Sequence, residues 1–136
     1  MKRIATIIIA ALCLAVQLPA QDKQVAKSNL IIREWNVDAA TNQKILDHQT
    51  LYNAAGRKIE ETEYDKDGQK WKKKFEYSAD GKLVRELVYN ASGKLDNIRK
   101  FEFNELGRKK IEYIYDAKGK LKKYKIYEYS SKKDGD

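Results

Sequence analysis

The 136-residue chain offers few groups for catalysis: a single histidine, His48, and a single cysteine, Cys13. A metal site would lack its usual nitrogen and sulfur ligands, and His48 reads as an ordinary strand residue within Lys44–Tyr52. Asp65-Lys66-Asp67-Gly68 has the opening spacing of a calcium loop, but the further oxygen ligands and the distal Glu are missing; a turn accounts for it better. Glu60, Glu61 and Glu63 contain the carboxylates that glycoside hydrolysis needs, yet strand alternation sends Glu60 to the opposite face from the other two. Catalysis is not expected, nor is a metal or cofactor. Binding is better served. Trp35 and Trp71 are flat platforms suited to sugar rings, and Lys72, Lys73 and Lys74 form a local cationic run for an anionic partner. The competing reading makes the tryptophans core residues and the lysines solvated strand-edge or bulge residues.

The elements that position these residues are short repeats. Tyr52-Asn53-Ala54-Ala55-Gly56-Arg57 returns as Tyr64-Asp65-Lys66-Asp67-Gly68-Gln69, Tyr77-Ser78-Ala79-Asp80-Gly81-Lys82 and Tyr89-Asn90-Ala91-Ser92-Gly93-Lys94. Phe103-Asn104-Glu105-Leu106-Gly107-Arg108 and Tyr115-Asp116-Ala117-Lys118-Gly119-Lys120 complete the set. Asp, Asn or Ser accepts a backbone hydrogen bond at the first turn position, and Gly three residues on supplies the positive φ of a type I turn closed by a G1 bulge. Six of the seven glycines occupy that position, so Gly56, Gly68, Gly81, Gly93, Gly107 and Gly119 are structural turn residues. This turn sets Asn90 opposite Lys94, Asn104 opposite Arg108 and Asp116 opposite Lys120.

Phe75-Glu76-Tyr77, Phe101-Glu102-Phe103 and Tyr127-Glu128-Tyr129 lie 26 residues apart, which makes the unit a two-stranded hairpin. With Leu30–Val37 as a first strand, a turn over Asp38–Gln43 and a second strand at Lys44–Tyr52, the fold class is all-β. An antiparallel meander of about eight strands forms one twisted sheet over residues 29–130, with a tail at 131–136. Simple alternation puts Leu83, Leu87, Tyr89, Leu95, Phe101, Phe103, Ile111, Tyr113, Tyr115, Leu121, Tyr127 and Tyr129 on one apolar face. The odd-length segment Gln69–Tyr77 breaks the parity of its neighbours and predicts a β-bulge within Lys70–Lys74. A sheet of roughly 34 Å, at about 4.8 Å per strand, would leave that face open to water. Rolling into a half-barrel, dimerisation or a ligand would each cover it, and rolling is the first expectation.

Met1-Lys2-Arg3 followed by the apolar run Ile4–Val16 reads as a signal peptide over residues 1–20, with cleavage near Ala20 and a flexible leader at 21–28. The apolar run is too short for a bilayer span, which takes about 20 residues, so no transmembrane segment is expected in the mature chain. Cleavage would remove Cys13 and leave a fold without disulfides. It would also lower the net charge from the full chain's +8 by the two charges of Lys2 and Arg3. An exported basic protein is expected to meet anionic glycans, lipid head groups or acidic proteins rather than nucleic acid.

The Tyr-Asp-x-x-Gly-Lys units of residues 50–130 resemble the YD repeats of RHS-type secreted proteins. In length and hairpin character they are also similar to the MORN-like repeats of bacterial antitoxin-like and surface proteins. Together with a leader ending in Ala-Gln, the chain resembles small uncharacterised exported proteins of Bacteroidales. The resemblance implies a repeat scaffold and carries over no functional residue; about six units are too few to enclose a cargo as RHS shells do. The expected function is that of a secreted or periplasmic, non-enzymatic scaffold for protein association, self-association included. The alternative is a carbohydrate or envelope-polymer binding module using Trp35, Trp71 and the lysines.

Overall fold

The computed structural model describes residues 26–132; the expected signal peptide, the first residues of the expected leader and the last four of the tail lie outside them. Eight strands follow one another in a single antiparallel sheet, in sequence order: β1 (Ile31–Val37), β2 (Lys44–Tyr52), β3 (Lys58–Asp65), β4 (Gly68–Tyr77), β5 (Leu83–Tyr89), β6 (Leu95–Phe103), β7 (Lys109–Asp116) and β8 (Leu121–Ile126). The sheet is open. Each strand touches only its sequence neighbours, and β1 does not meet β8. It is neither closed into a barrel nor folded back on itself. The last residues of the expected leader, 26–28, form a turn with Asn29 that is tied to the sheet: Asn29 N donates to Asn53 O at 2.9 Å and Ser28 Oγ to Ala54 O at 2.8 Å.

The repeated turn closes as its residues dictate. Asn90 N donates to Lys94 O at 2.9 Å, while Asn90 Oδ1 accepts from Ser92 N and Lys94 N at 3.0 and 3.1 Å. Asn104 and Asp116 do the same with their own turns. At Gly93 φ is +78° and at Gly119 it is +84°, in the left-handed region that a Cβ disfavours. The pairs Asn90–Lys94, Asn104–Arg108 and Asp116–Lys120 stand opposite one another as expected.

A second device recurs in every pairing. Near each turn, one to three residue pairs in, the register shifts by one, leaving Asp47, Ile59, Lys70, Val84, Asp96, Lys110 or Lys122 as an extra residue on the later strand. The bulge expected within Lys70–Lys74 is therefore present, at Lys70, but it is one of seven. The odd length of Gln69–Tyr77 has another cause. Asp65 pairs with Gly68 and Tyr64 with Gln69, whereas Tyr89 pairs with Leu95 and Tyr115 with Leu121. The β3–β4 turn is one residue shorter, and Gln69 occupies the place of Leu95.

These bulges correct the single apolar face. Residues directly opposite one another share a face, and each extra residue reverses the alternation of its strand. Ile98 pairs with Leu87 and Tyr115, so Leu87, Tyr89, Ile98, Tyr113, Tyr115 and Tyr124 share one side. Phe75, Tyr77, Leu83, Val88, Phe101, Phe103 and Ile114 lie on the other. With the aromatics divided, no one face demands a half-barrel. Of the described residues only Phe101, Ile114, Thr62 and Glu112 are buried. Elsewhere the rings are covered by cationic side chains: Lys58 Nζ lies 5.3 Å from the Phe75 ring centre, Lys74 Nζ 5.5 Å from Tyr89 and Lys100 Nζ 5.2 Å from Tyr115. Stems of this kind shield apolar surface while their charges stay wet, and each such pair contributes on the order of 0.5–1 kcal/mol.

Candidate functional site

Trp35 and Trp71 project from opposite faces. Glu34 pairs with His48 and His48 with Glu63, which in turn faces Trp71; Trp35, next to Glu34, points the other way. Trp35 is 43% exposed on the outermost strand, with Lys44 Nζ 4.3 Å from its ring centre. Trp71 is half-buried in β4 against the edge of His48, ring centres 6.1 Å apart at 87°, with Lys73 Nζ 4.7 Å away. The pair forms neither a shared sugar platform nor a core.

The lysine run is divided in the same way. Lys72 and Lys74 face one side and Lys73 the other. Lys72 Nζ pairs with Glu60 Oε1 at 3.1 Å, Lys73 lies over Trp71, and Lys74 Nζ sits 5.5 Å from the Tyr89 ring centre. Each of these cations is engaged by its own sheet.

Glu60 does fall on the opposite face from Glu61 and Glu63. His48 Nε2 lies 3.1 Å from Glu61 Oε1 and Nδ1 3.8 Å from Glu34 Oε2, with Glu63 directly across the strand. The Lys70 ammonium holds the Glu63 carboxyl below its ordinary range at 2.8 Å. This histidine and its neighbouring carboxylates, drawn from three strands, form a polar cluster that residue spacing alone does not signal. No group of three or more metal-ligating side chains is arranged to hold an ion among the described residues. In the Asp65 turn, Asp65 Oδ1 accepts from Asp67 N at 2.8 Å, as a turn requires.

What the fold leaves unengaged is at its two ends. Every residue of β1 and of β8 is exposed. β1 presents Ile31, Ile32, Trp35 and Val37, and β8 presents Leu121, Tyr124 (59% exposed) and Ile126 (64%). Both strands have one backbone edge without a partner in the sheet. Most apolar residues of the inner strands are at least half-buried by flanking strands, Ile45 of β2 and Val84 of β5 excepted, whereas the outer two strands have a neighbour on one side only. No helix of the described residues is long and apolar enough to cross a membrane. Comparison with protein-family models gives no match, and comparison with curated proteins gives none either.

Proposed function

We propose that the chain is an exported, non-enzymatic β-repeat protein that acts as a scaffold for protein association through the edges of its sheet. The observation that carries this reading is the pair of outermost strands, each with an unpaired backbone edge and exposed large apolar residues. An extended strand added to such an edge gains main-chain hydrogen bonds, and alternate side chains set its specificity. The resemblance of the turns to YD and MORN-like repeats supports the same reading, since such repeats serve as scaffolds. The glycan-binding alternative loses its main support with the two tryptophans on opposite faces.

The reading is tested by placing a photo-crosslinking amino acid at Val37, at Ile126 and, as a control, at the exposed turn residue Leu106. In cells making the protein, adducts with protein are expected from the two edge positions and not from the turn. Absence of protein adducts at both edges would overturn the proposal.

A further inference from the structure

Resting on that edge-association reading, we infer that the partner of β8 is β1 of a second copy of this chain, paired head to tail so that one sheet continues into the next. Strands of a meander alternate in direction, so the eighth runs antiparallel to the first. A copy displaced along the sheet therefore offers β1 in the orientation that a ninth strand would have.

Register follows from the internal repeat. Tyr124 lies 26 residues after Ile98 and holds the same place in its hairpin; Ile98 pairs with Tyr115 in the next strand. Trp35 holds the place of Tyr115, since each is the first residue paired on the turn side of its bulge, with Leu46 and Leu121 respectively. Continuing the pattern sets Tyr124 opposite Trp35 of the next copy and, one step along, Lys125 opposite Glu34. Two exposed aromatics would then cover each other, and opposite charges would meet on the other face.

Charge also selects this pairing over one between two β8 edges. β8 carries Lys122, Lys123 and Lys125 and no acidic residue, so two β8 edges repel. Residues 31–38 carry Arg33 against Glu34 and Asp38, one net negative charge. Lysine on an edge strand deters promiscuous pairing; here it directs β8 toward the more acidic edge. A contact between unlike edges leaves one of each free, so the product is open-ended unless the sheet's twist closes a ring.

The test compares two double variants of the full protein, W35E/Y124K and W35K/Y124K, by sedimentation over a range of concentrations. Both remove the same aromatic contact from exposed positions, and circular dichroism checks that the sheet is retained. The wild type is expected to form concentration-dependent species larger than a monomer. The variant with opposite charges is expected to associate at least about twofold more tightly than the like-charged one, as direct cross-strand charge pairs imply. Equal affinities of the two variants would overturn the head-to-tail pairing, because a β8–β8 contact involves only the Tyr124→Lys change, which the two variants share. A wild type that stays monomeric would overturn it too. Edge crosslinks to a different protein, with a monomeric chain, would reject self-pairing while sustaining the scaffold reading.

Discussion

The Tyr127 hydroxyl donates to Glu112 Oε2 at 2.6 Å, fastening the chain just past β8 to a carboxylate of β7 that is only 2% exposed. Arg99 Nη1 approaches the other carboxylate oxygen at 3.6 Å from β6. Three consecutive strands thus meet at one buried charge. Losing its hydroxyl partner should cost roughly 1.5–3 kcal/mol, as for hydrogen bonds to ions. Tyr127→Phe is expected to lower the urea midpoint accordingly, and Glu112→Ala, which also orphans Arg99, to lower it further.

The same carboxylate enters the response to acid. Burial pushes the Glu112 carboxyl up, but the Tyr127 hydroxyl, Lys125, Arg99 and Lys109 outweigh it and hold the group below its ordinary 4.5. Asp116, through the Lys120 N–H, and Glu76, through Arg85, are lowered as well. Groups lowered by folding bind fewer protons folded than unfolded, so their stabilisation is complete above the ordinary carboxylate range and is lost as pH falls from there through the lower values of the folded state. The denaturation midpoint should be level from pH 8 to about 6 and decline below about 4.5. Glu112→Gln should make that decline shallower; a midpoint that rises on acidification would contradict the assignment.

Gly93, at φ +78°, has open space where a Cβ would stand, so a substitution there tests backbone strain alone. Gly93→Asn should cost only a few tenths of a kcal/mol, whereas Gly93→Val should cost about 1–2 kcal/mol. At Gly81 a Cβ would lie 2.5 Å from Arg57 Nη2. The Arg57 guanidinium carbon lies 5.9 Å from the Tyr77 ring centre, so Gly81→Asn should also displace it from that ring, detectable as a shift of the Tyr77 ring resonances.

If the β3–β4 turn is simply one residue short, a lysine inserted between Gly68 and Gln69 should be accommodated within about 1 kcal/mol, as an exposed loop change is. The amide-exchange pattern of β4 should then stay unchanged. The same insertion between Lys72 and Lys73 reverses the faces of part of the strand and should abolish cooperative unfolding.

Thr62 is fully buried with no partner for its hydroxyl. Thr62→Val removes an unsatisfied polar group at nearly constant shape, and is expected to leave the thermal midpoint unchanged or higher. Phe101→Ala, at one of the few buried apolar positions, should cost about 3 kcal/mol. A marked loss of stability in Thr62→Val would show that the hydroxyl is bonded.

Much of the architecture was legible because it is local. Asn or Asp followed three residues later by Gly specifies a turn through hydrogen bonds within five residues, and the observed strand ends at Tyr52, Tyr77, Tyr89 and Phe103 follow directly. The faces were less legible. Counting alternation from Tyr89 put Leu95 and Phe101 together, but the extra residue Asp96 turns Phe101 to the other side. No residue type marks that bulge, since Asp, Ile, Lys and Val all fill it. Trp35 and Trp71 look equivalent in the chain; one stands on an outer strand and the other against the edge of a histidine.

By itself the sequence determined the number of strands, their order and their turns, because each rests on the φ preference of a glycine and the reach of a short polar side chain. Only the tertiary structure decided which side chains share a face, which charges pair across strands and which strands remain without a neighbour. Those depend on register between segments many residues apart, where one extra residue reverses every side chain beyond it.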